Sequence, residues 1–274
     1  MKKIVFLFIA LLTVAFVAGC GSDKAGTASQ AAAPAKTVLK VGATPVPHAE
    51  ILKVVKPILA KEGIDLQIIE MSDYVRPNMA VADKELDANF FQHIPYLKKF
   101  SAEHNLQLTY TAAVHIEPMG IYSKKVKNLN DVPNGAQVAI PNDPTNGGRA
   151  LLLLAKAGLI KLKDGAGINA TTKDIIDNPK NLKVVELEAP QLPRALDDVT
   201  LAVINTNYAL EAKLVPTKDA LFIEQKDSPY VNVLVVRKGD ENRPEIQALT
   251  KALTSDAVRK FINEKYKGAV VPAF

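Results

Sequence analysis

A single cysteine, Cys20, stands in a chain of 274 residues. With no second thiol, no intrachain disulfide can form, and the core must hold by packing alone. Tryptophan is absent and aromatic residues make up 6% of the chain, so a local cluster of rings draws notice. The four histidines, His48, His93, His104 and His115, are scattered, with no i, i+4 pair and no cysteine partner. That spacing does not describe a zinc site, and neither a metal nor a cofactor is expected. There is no G-x-S-x-G elbow, no Walker loop and no G-x-G-x-x-G after a strand. Glu186 and Glu188 share a strand face, but solvated carboxylate pairs of that kind are common. The chain is therefore expected not to be an enzyme. No long basic run with interleaved aromatics occurs. The net charge of +5 falls to +3 once Lys2 and Lys3 are set aside, so nucleic acid is not an expected partner.

Long apolar runs are nearly absent too. The one example is Ile4–Ala18, interrupted only by Thr13. It is short for a membrane span, which needs about 20 residues. Its positive start and small-residue end describe a secretory signal peptide over residues 1–19. Val17-Ala18-Gly19-Cys20 resembles the lipobox of bacterial lipoproteins, which implies cleavage before Cys20 and lipidation of its thiol. The other reading of Cys20 is a buried thiol at the end of a membrane anchor. Residues 20–37 then form the lipidated cysteine and a flexible Gly/Ser/Ala/Thr tether that reaches roughly 20–25 Å. The expected location is the extracytoplasmic or periplasmic face of a cell membrane or outer membrane, held there by the lipid.

The remaining body is large for one α/β domain and comfortable for two lobes. Short apolar runs alternate with helical patterns. Val38–Ala43, Leu66–Glu70, Leu86–Phe90 and Leu106–Ala113 read as strands. The intervening stretches carry a 3.6-residue period, as at Ile51, Val54, Val55, Ile58 and Leu59. The β-α-β-α order predicts an α/β fold whose mostly parallel sheets are flanked by helices. His115–Ser123, with Pro118 and Gly120, reads as a crossing to a second lobe. Ser228–Asn232 reads as the return, and two C-terminal helices should pack back on the first lobe. The expected organisation is a discontinuous first lobe, 38–122 and 229–274, and an inserted second lobe, 123–228. The hinge between them creates a cleft able to close on a ligand.

Three segments carry candidate binding chemistry. In Pro141-Asn142-Asp143-Pro144-Thr145-Asn146-Gly147-Gly148-Arg149 a strand ends and a helix begins. Its free N–H groups favour an anion. Arg149 in that first turn opposes the helix dipole and calls for a carboxylate, which a ligand could supply. It could equally be a surface arginine that happens to start a helix. The apolar strand Leu201–Ile204 runs into Asn205 and Asn207, placed where open sheets bind ligands, although asparagine more often caps a turn or helix. Asn232 could reach the same cleft from the returning crossing. Tyr74, Phe91 and Tyr96 could frame an apolar slot for a thioether or alkyl side chain, or be ordinary core.

Several stretches resemble the NlpA/MetQ-type methionine-binding lipoproteins, the substrate-binding components of ABC importers. They are Asp73-Tyr74-Val75-Arg76-Pro77-Asn78, Phe91-Gln92-His93, Pro95-Tyr96-Leu97, residues 138–146, Gly148-Arg149, residues 186–194 and Ser228-Pro229-Tyr230-Val231-Asn232. The resemblance covers nearly the whole body. It implies a two-lobe periplasmic-binding-protein fold with methionine at the hinge. Arg149, helped by Asn146, would pair with the ligand carboxylate, and Asn205 and Asn232 would hold its amino and carboxylate groups. Tyr74, Phe91, His93 and Tyr96 would surround the side chain, with His48 a weaker candidate. The implied partners are L-methionine or a close analogue, the importer permease and its ATPase, and the membrane through the N-terminal lipid. The rival expectations are a surface lipoprotein acting as an adhesin or interaction protein, or a binder of another small apolar amino acid or methionine derivative.

Overall fold

The computed structural model describes residues 36–225 and 228–274. The signal segment, Cys20 and most of the tether lie outside the described residues. Among the described residues no helix is long and apolar enough to cross a membrane.

The chain forms two lobes, each built on one sheet. The first sheet draws on β1 (Thr37–Ala43), β2 (Ile64–Glu70), β3 (Ala88–His93) and β4 (Leu108–Ile116). The second draws on β5 (Gly120–Tyr122), β6 (Gln137–Pro141), β9 (Lys183–Leu187), β10 (Leu201–Ile204) and β11 (Phe222–Ile223). A small separate hairpin, β7 (Lys161–Leu162) and β8 (Ile175–Asp177), lies between β6 and β9 in the chain. The chain then returns to the first sheet with β12 (Val231–Arg237) and β13 (Val271–Pro272). The strand orders are β13-β4-β12-β3-β1-β2 and β11-β5-β10-β6-β9. β1 pairs in parallel with β2 and β3, and β6 with β9 and β10. The returning β12 lies antiparallel between β3 and β4, and β5 lies antiparallel between β10 and β11.

The helices are α1 (Glu50–Lys61), α2 (Arg76–Ala82), α3 (Ile94–Glu103), α4 (Pro144–Lys156), α5 (Leu192–Ala195), α6 (Thr206–Glu211), α7 (Pro216–Asp219), α8 (Pro244–Leu253) and α9 (Asp256–Tyr266). Alternation in β1 buries Leu39, Val41 and Ala43 on one face, against Ile51, Leu52, Val55 and Leu59 of α1. The same core takes Ile246, Leu249, Val258 and Ile262, so α8 and α9 do pack on the first lobe. Continuously apolar Leu201–Ile204 is wholly buried, as expected of a strand covered on both faces.

Several boundaries differ from the sequence reading, β4 among them, which runs from Leu108 to Ile116 rather than from Leu106 to Ala113. The first lobe does not extend to residue 122, because Gly120–Tyr122 hydrogen-bonds into the second sheet as β5. The crossing shortens to Glu117–Met119. β3 also runs on to His93 rather than stopping at Phe90. Its polar Gln92 is accommodated because its amide pairs with Asn78 and Asn89 in a buried network.

The start of α4 depends on close backbone approach. A Cβ on Gly148 would lie 2.3 Å from the carbonyl oxygen of Ile168. Gly148→Ala must therefore push the helix start away from the 167–169 turn, at about 1–3 kcal/mol of stability. Urea unfolding measures that loss, and an unchanged midpoint would contradict the packing described.

Candidate functional site

Between the lobes lies a narrow cavity walled by side chains of both sheets and their helices. Eight of the residues singled out from the sequence line it, and the weaker candidate His48 does not. Tyr74, Phe91, His93, Tyr96 and Asn232 come from the first lobe, and Asn146, Arg149 and Asn205 from the second. Gln92, Glu117, Thr206 and Asn207 complete the wall.

The first-lobe wall is an aromatic slot. The Tyr74 ring lies 5.9 Å from both Phe91 and Tyr96, and Phe91 lies 6.0 Å from Tyr96. The slot is tied by polar ends. Tyr96 donates to the Tyr74 carbonyl at 2.9 Å, and Tyr74 donates across the cleft to Asn207 Oδ1 at 2.6 Å. A second cross-lobe bond runs from Tyr208 to the Ser72 carbonyl at 3.0 Å. Burial pushes the Tyr74 hydroxyl well above its ordinary range, so it stays a donor.

His93 is held in one tautomer. Its Nδ1 accepts from the Tyr96 N–H at 3.1 Å, which leaves the proton on Nε2 to donate to Asn146 Oδ1, also at 3.1 Å. Burial, reinforced by the charge of Arg149, lowers its pKa to about 3, so the ring is neutral.

The second-lobe wall is the start of α4. Asp143 caps it, accepting from the Asn146 N–H at 2.9 Å and from the Asn146 side chain. Asn146 Oδ1 then accepts from both His93 and Asn205. Asn146 is thus a hub that orients its neighbours. Asn205 stands at the N-cap of α6 but makes no capping bond. Its Nδ2 donates to Asn146 at 2.9 Å, and its Oδ1 is buried without a partner among the described residues. Asn207 Nδ2 is likewise unpartnered.

Arg149 is 4% exposed and sits in the second turn of α4, because the helix starts at Pro144 rather than near Asn146, so the expected first-turn placement does not hold. The carboxylate that its position calls for is already present in the protein. Glu224, just after β11, accepts from Nε at 3.1 Å and from Nη2, while Nη2 also donates to the Glu117 carbonyl at 2.8 Å. The guanidinium lies 4.1 Å from the centre of the Tyr230 ring, a cation–π contact. Nη1 makes no hydrogen bond among the described residues, so one edge of the fork remains for a further acceptor.

Glu117 was not anticipated. It sits on the first crossing, 6% exposed, and its Oε1 lies 2.7 Å from His115 Nε2 and 3.2 Å from His48 Nε2. These ligand-type atoms lie within 4.8 Å of one another. His115 Nε2 hydrogen-bonds that carboxylate oxygen, and His48 Nε2 lies beside it, so the three side chains form one buried cluster. His48 Nε2 also meets Asn232 Oδ1 at 3.1 Å, which fixes the Asn232 amide in the cavity wall. The one signal for Glu117 was an acidic residue before Pro118 in an otherwise apolar crossing.

The chain matches the family model described as NlpA lipoprotein over residues 39–274. It is 44% identical to the D-methionine-binding lipoprotein MetQ of Salmonella typhimurium, covering 96% of this chain and 94% of that one. It is 42% identical to the methionine-binding lipoprotein MetQ of Bacillus subtilis, covering 99% of each. Among solved structures it is similar to a nutrient binding protein from Burkholderia cenocepacia bound to methionine. That likeness has a TM-score of 0.84 and 49% identity, over 86% of this chain and all of that one.

Proposed function

The chain belongs to the NlpA lipoprotein family, and from that premise we propose that it captures methionine between its lobes and delivers it to an ABC importer. The observation that carries this reading is one buried cavity with three chemistries. The free edge of Arg149 suits a carboxylate. Glu117 and the unpartnered Asn205 Oδ1 suit an ammonium group. The Tyr74, Phe91 and Tyr96 rings suit an apolar, polarisable side chain. A zwitterionic amino acid with a thioether meets all three. Asn232, its Oδ1 held by His48, leaves its amide nitrogen as a donor for the carboxylate, and Asn146 orients His93 and Asn205.

The similarity to lipoproteins supports lipidation of Cys20 and residence on the extracytoplasmic face of a membrane, with the permease and its ATPase as partners. Activity is binding and release, without turnover. Capture works by population shift, because a ligand touching both lobes favours their closed arrangement. Relatives are named both for methionine and for D-methionine. Side-chain and stereochemical preference turns on differences of only about 1–3 kcal/mol.

The test is to extract the purified protein with acid and identify the released small molecule by mass spectrometry. Methionine in near-stoichiometric amount is expected. A different metabolite would overturn the assignment. Closure itself has a separate handle. Tyr208→Phe removes the cross-lobe bond to Ser72 without touching the cavity. It should cost about 0.5–1.5 kcal/mol, a two- to tenfold loss of methionine affinity by calorimetry.

A further inference from the structure

We propose that His48 and His115 are positioning residues that hold the Glu117 carboxylate as the acceptor for the ligand's ammonium group, making the site selective for amino acids with a free, charged amine. This inference rests on the amino-acid-binding reading above and specifies how that site chooses its substrate class.

The geometry is that of an aimed carboxylate. Glu117 lines the cavity, while His48 and His115 sit behind it, 1% and 0% exposed. Both bring Nε2 close to the same oxygen, Oε1, at 2.7 Å from His115 and 3.2 Å from His48. His48 is fixed in turn by Thr44 Oγ1 at 2.6 Å from Nδ1, and its ring packs edge-on against Phe90. An Nε2 facing both a carboxylate oxygen and Asn232 Oδ1 must carry the proton, so Thr44 donates to Nδ1. The His115 N–H thus holds one buried oxygen, the His48 N–H lies beside it, and Glu117 faces the cavity in front of them.

The titratable groups around Glu117 come from several elements. His48 lies on the turn before α1, His115 on β4 and Arg149 on α4. The Glu117 carboxylate in turn helps keep the Tyr74 and Tyr266 hydroxyls protonated, and the Asn207 N–H of α6 stabilises the anion. Burial is the largest influence and raises the Glu117 pKa, against His48 and Arg149, which lower it. Burial also lowers His48 to about 4 and His115 to about 3, so both rings donate as neutral groups. A ligand ammonium needs the ionised carboxylate. Affinity should hold above the Glu117 pKa and fall as pH drops through it.

The test compares L-methionine with its α-hydroxy acid analogue, which keeps the carboxylate and side chain but carries no amine. The full chain, unfolded and refolded to strip bound ligand, is titrated calorimetrically with each. The wild type should prefer methionine by at least 100-fold, and Glu117→Gln should reduce that ratio below tenfold. Binding of the hydroxy acid by each variant reports that it is folded. His115→Leu should weaken methionine about tenfold, leave the hydroxy acid within about twofold, and move the acid limb of the methionine profile to higher pH. His115→Gln, which restores an N–H donor, should recover most of that loss. A ratio unchanged by Glu117→Gln, or His115→Leu weakening both ligands equally with no shift in the pH profile, would overturn the inference while leaving methionine capture intact. If the folded wild type bound neither ligand, both readings would fall.

Discussion

Arg149→Ala should cost about 2–5 kcal/mol of methionine binding, a loss of roughly 30- to 5,000-fold. The size follows from what the guanidinium does at once. Its Nε and Nη2 neutralise Glu224, its Nη2 also holds the Glu117 carbonyl on the crossing, and its Nη1 edge is left for the ligand. Truncation removes the ligand's partner and strands the Glu224 carboxylate beside the place where the ligand carboxylate should sit. Repulsion is therefore added to the lost pairing. A double-mutant cycle separates the two. Glu224→Gln in the Arg149→Ala background should recover part of the affinity, because it removes the stranded charge. Near-wild-type affinity of Arg149→Ala in calorimetry would contradict the assignment of the carboxylate pole.

Phe91→Ala should cost about 3–5 kcal/mol of folding stability, as expected for deleting a buried aromatic ring. Phe91 is 4% exposed on β3 and packs against both Tyr74 and Tyr96. Tyr74 in turn reaches Asn207 across the cleft, so relaxation of the slot also loosens closure. The substitution should weaken methionine and raise the relative affinity of bulkier side chains such as phenylalanine. Urea unfolding measures the first effect and competitive titration the second. Unchanged selectivity would show that Phe91 is core and not slot.

Much of this fold is legible in the sequence because local and tertiary preferences agree. Leu201–Ile204 has no polar residue to place at a surface, so it can only be a covered strand. The α1 stripe and the two C-terminal helices show their buried faces by period alone. β5 was hidden because three residues beside Pro118 and Gly120 look like linker. Their identity as strand is decided by β10 and β11, far along the chain. The end of β3 was hidden for a similar reason. Gln92 reads as a strand terminus until Asn78 and Asn89 satisfy its amide.

The site divides the same way. Arg149 was visible because, with the helix read as starting near Asn146, a cation fell in its first turn against a local rule; the helix in fact starts at Pro144, and burial of Arg149 in the second turn is what makes it special. Its compensation by Glu224, 75 residues away, left no local mark. His48 drew little weight in the sequence, since its role depends on Glu117 and Asn232, the latter 184 residues away. Asn205 carried two readings, cap or ligand group. The absence of a capping bond, with its Oδ1 buried at the cavity, favours the second.

The most direct measurement is a calorimetric titration with L-methionine of protein beginning near Lys36, unfolded and refolded to strip carried ligand. D-methionine, leucine and glutamine follow as comparisons. The account predicts sub-micromolar methionine binding, stronger than about 8 kcal/mol, with leucine and glutamine far weaker. A folded protein that gives no heat with methionine at any concentration would contradict it.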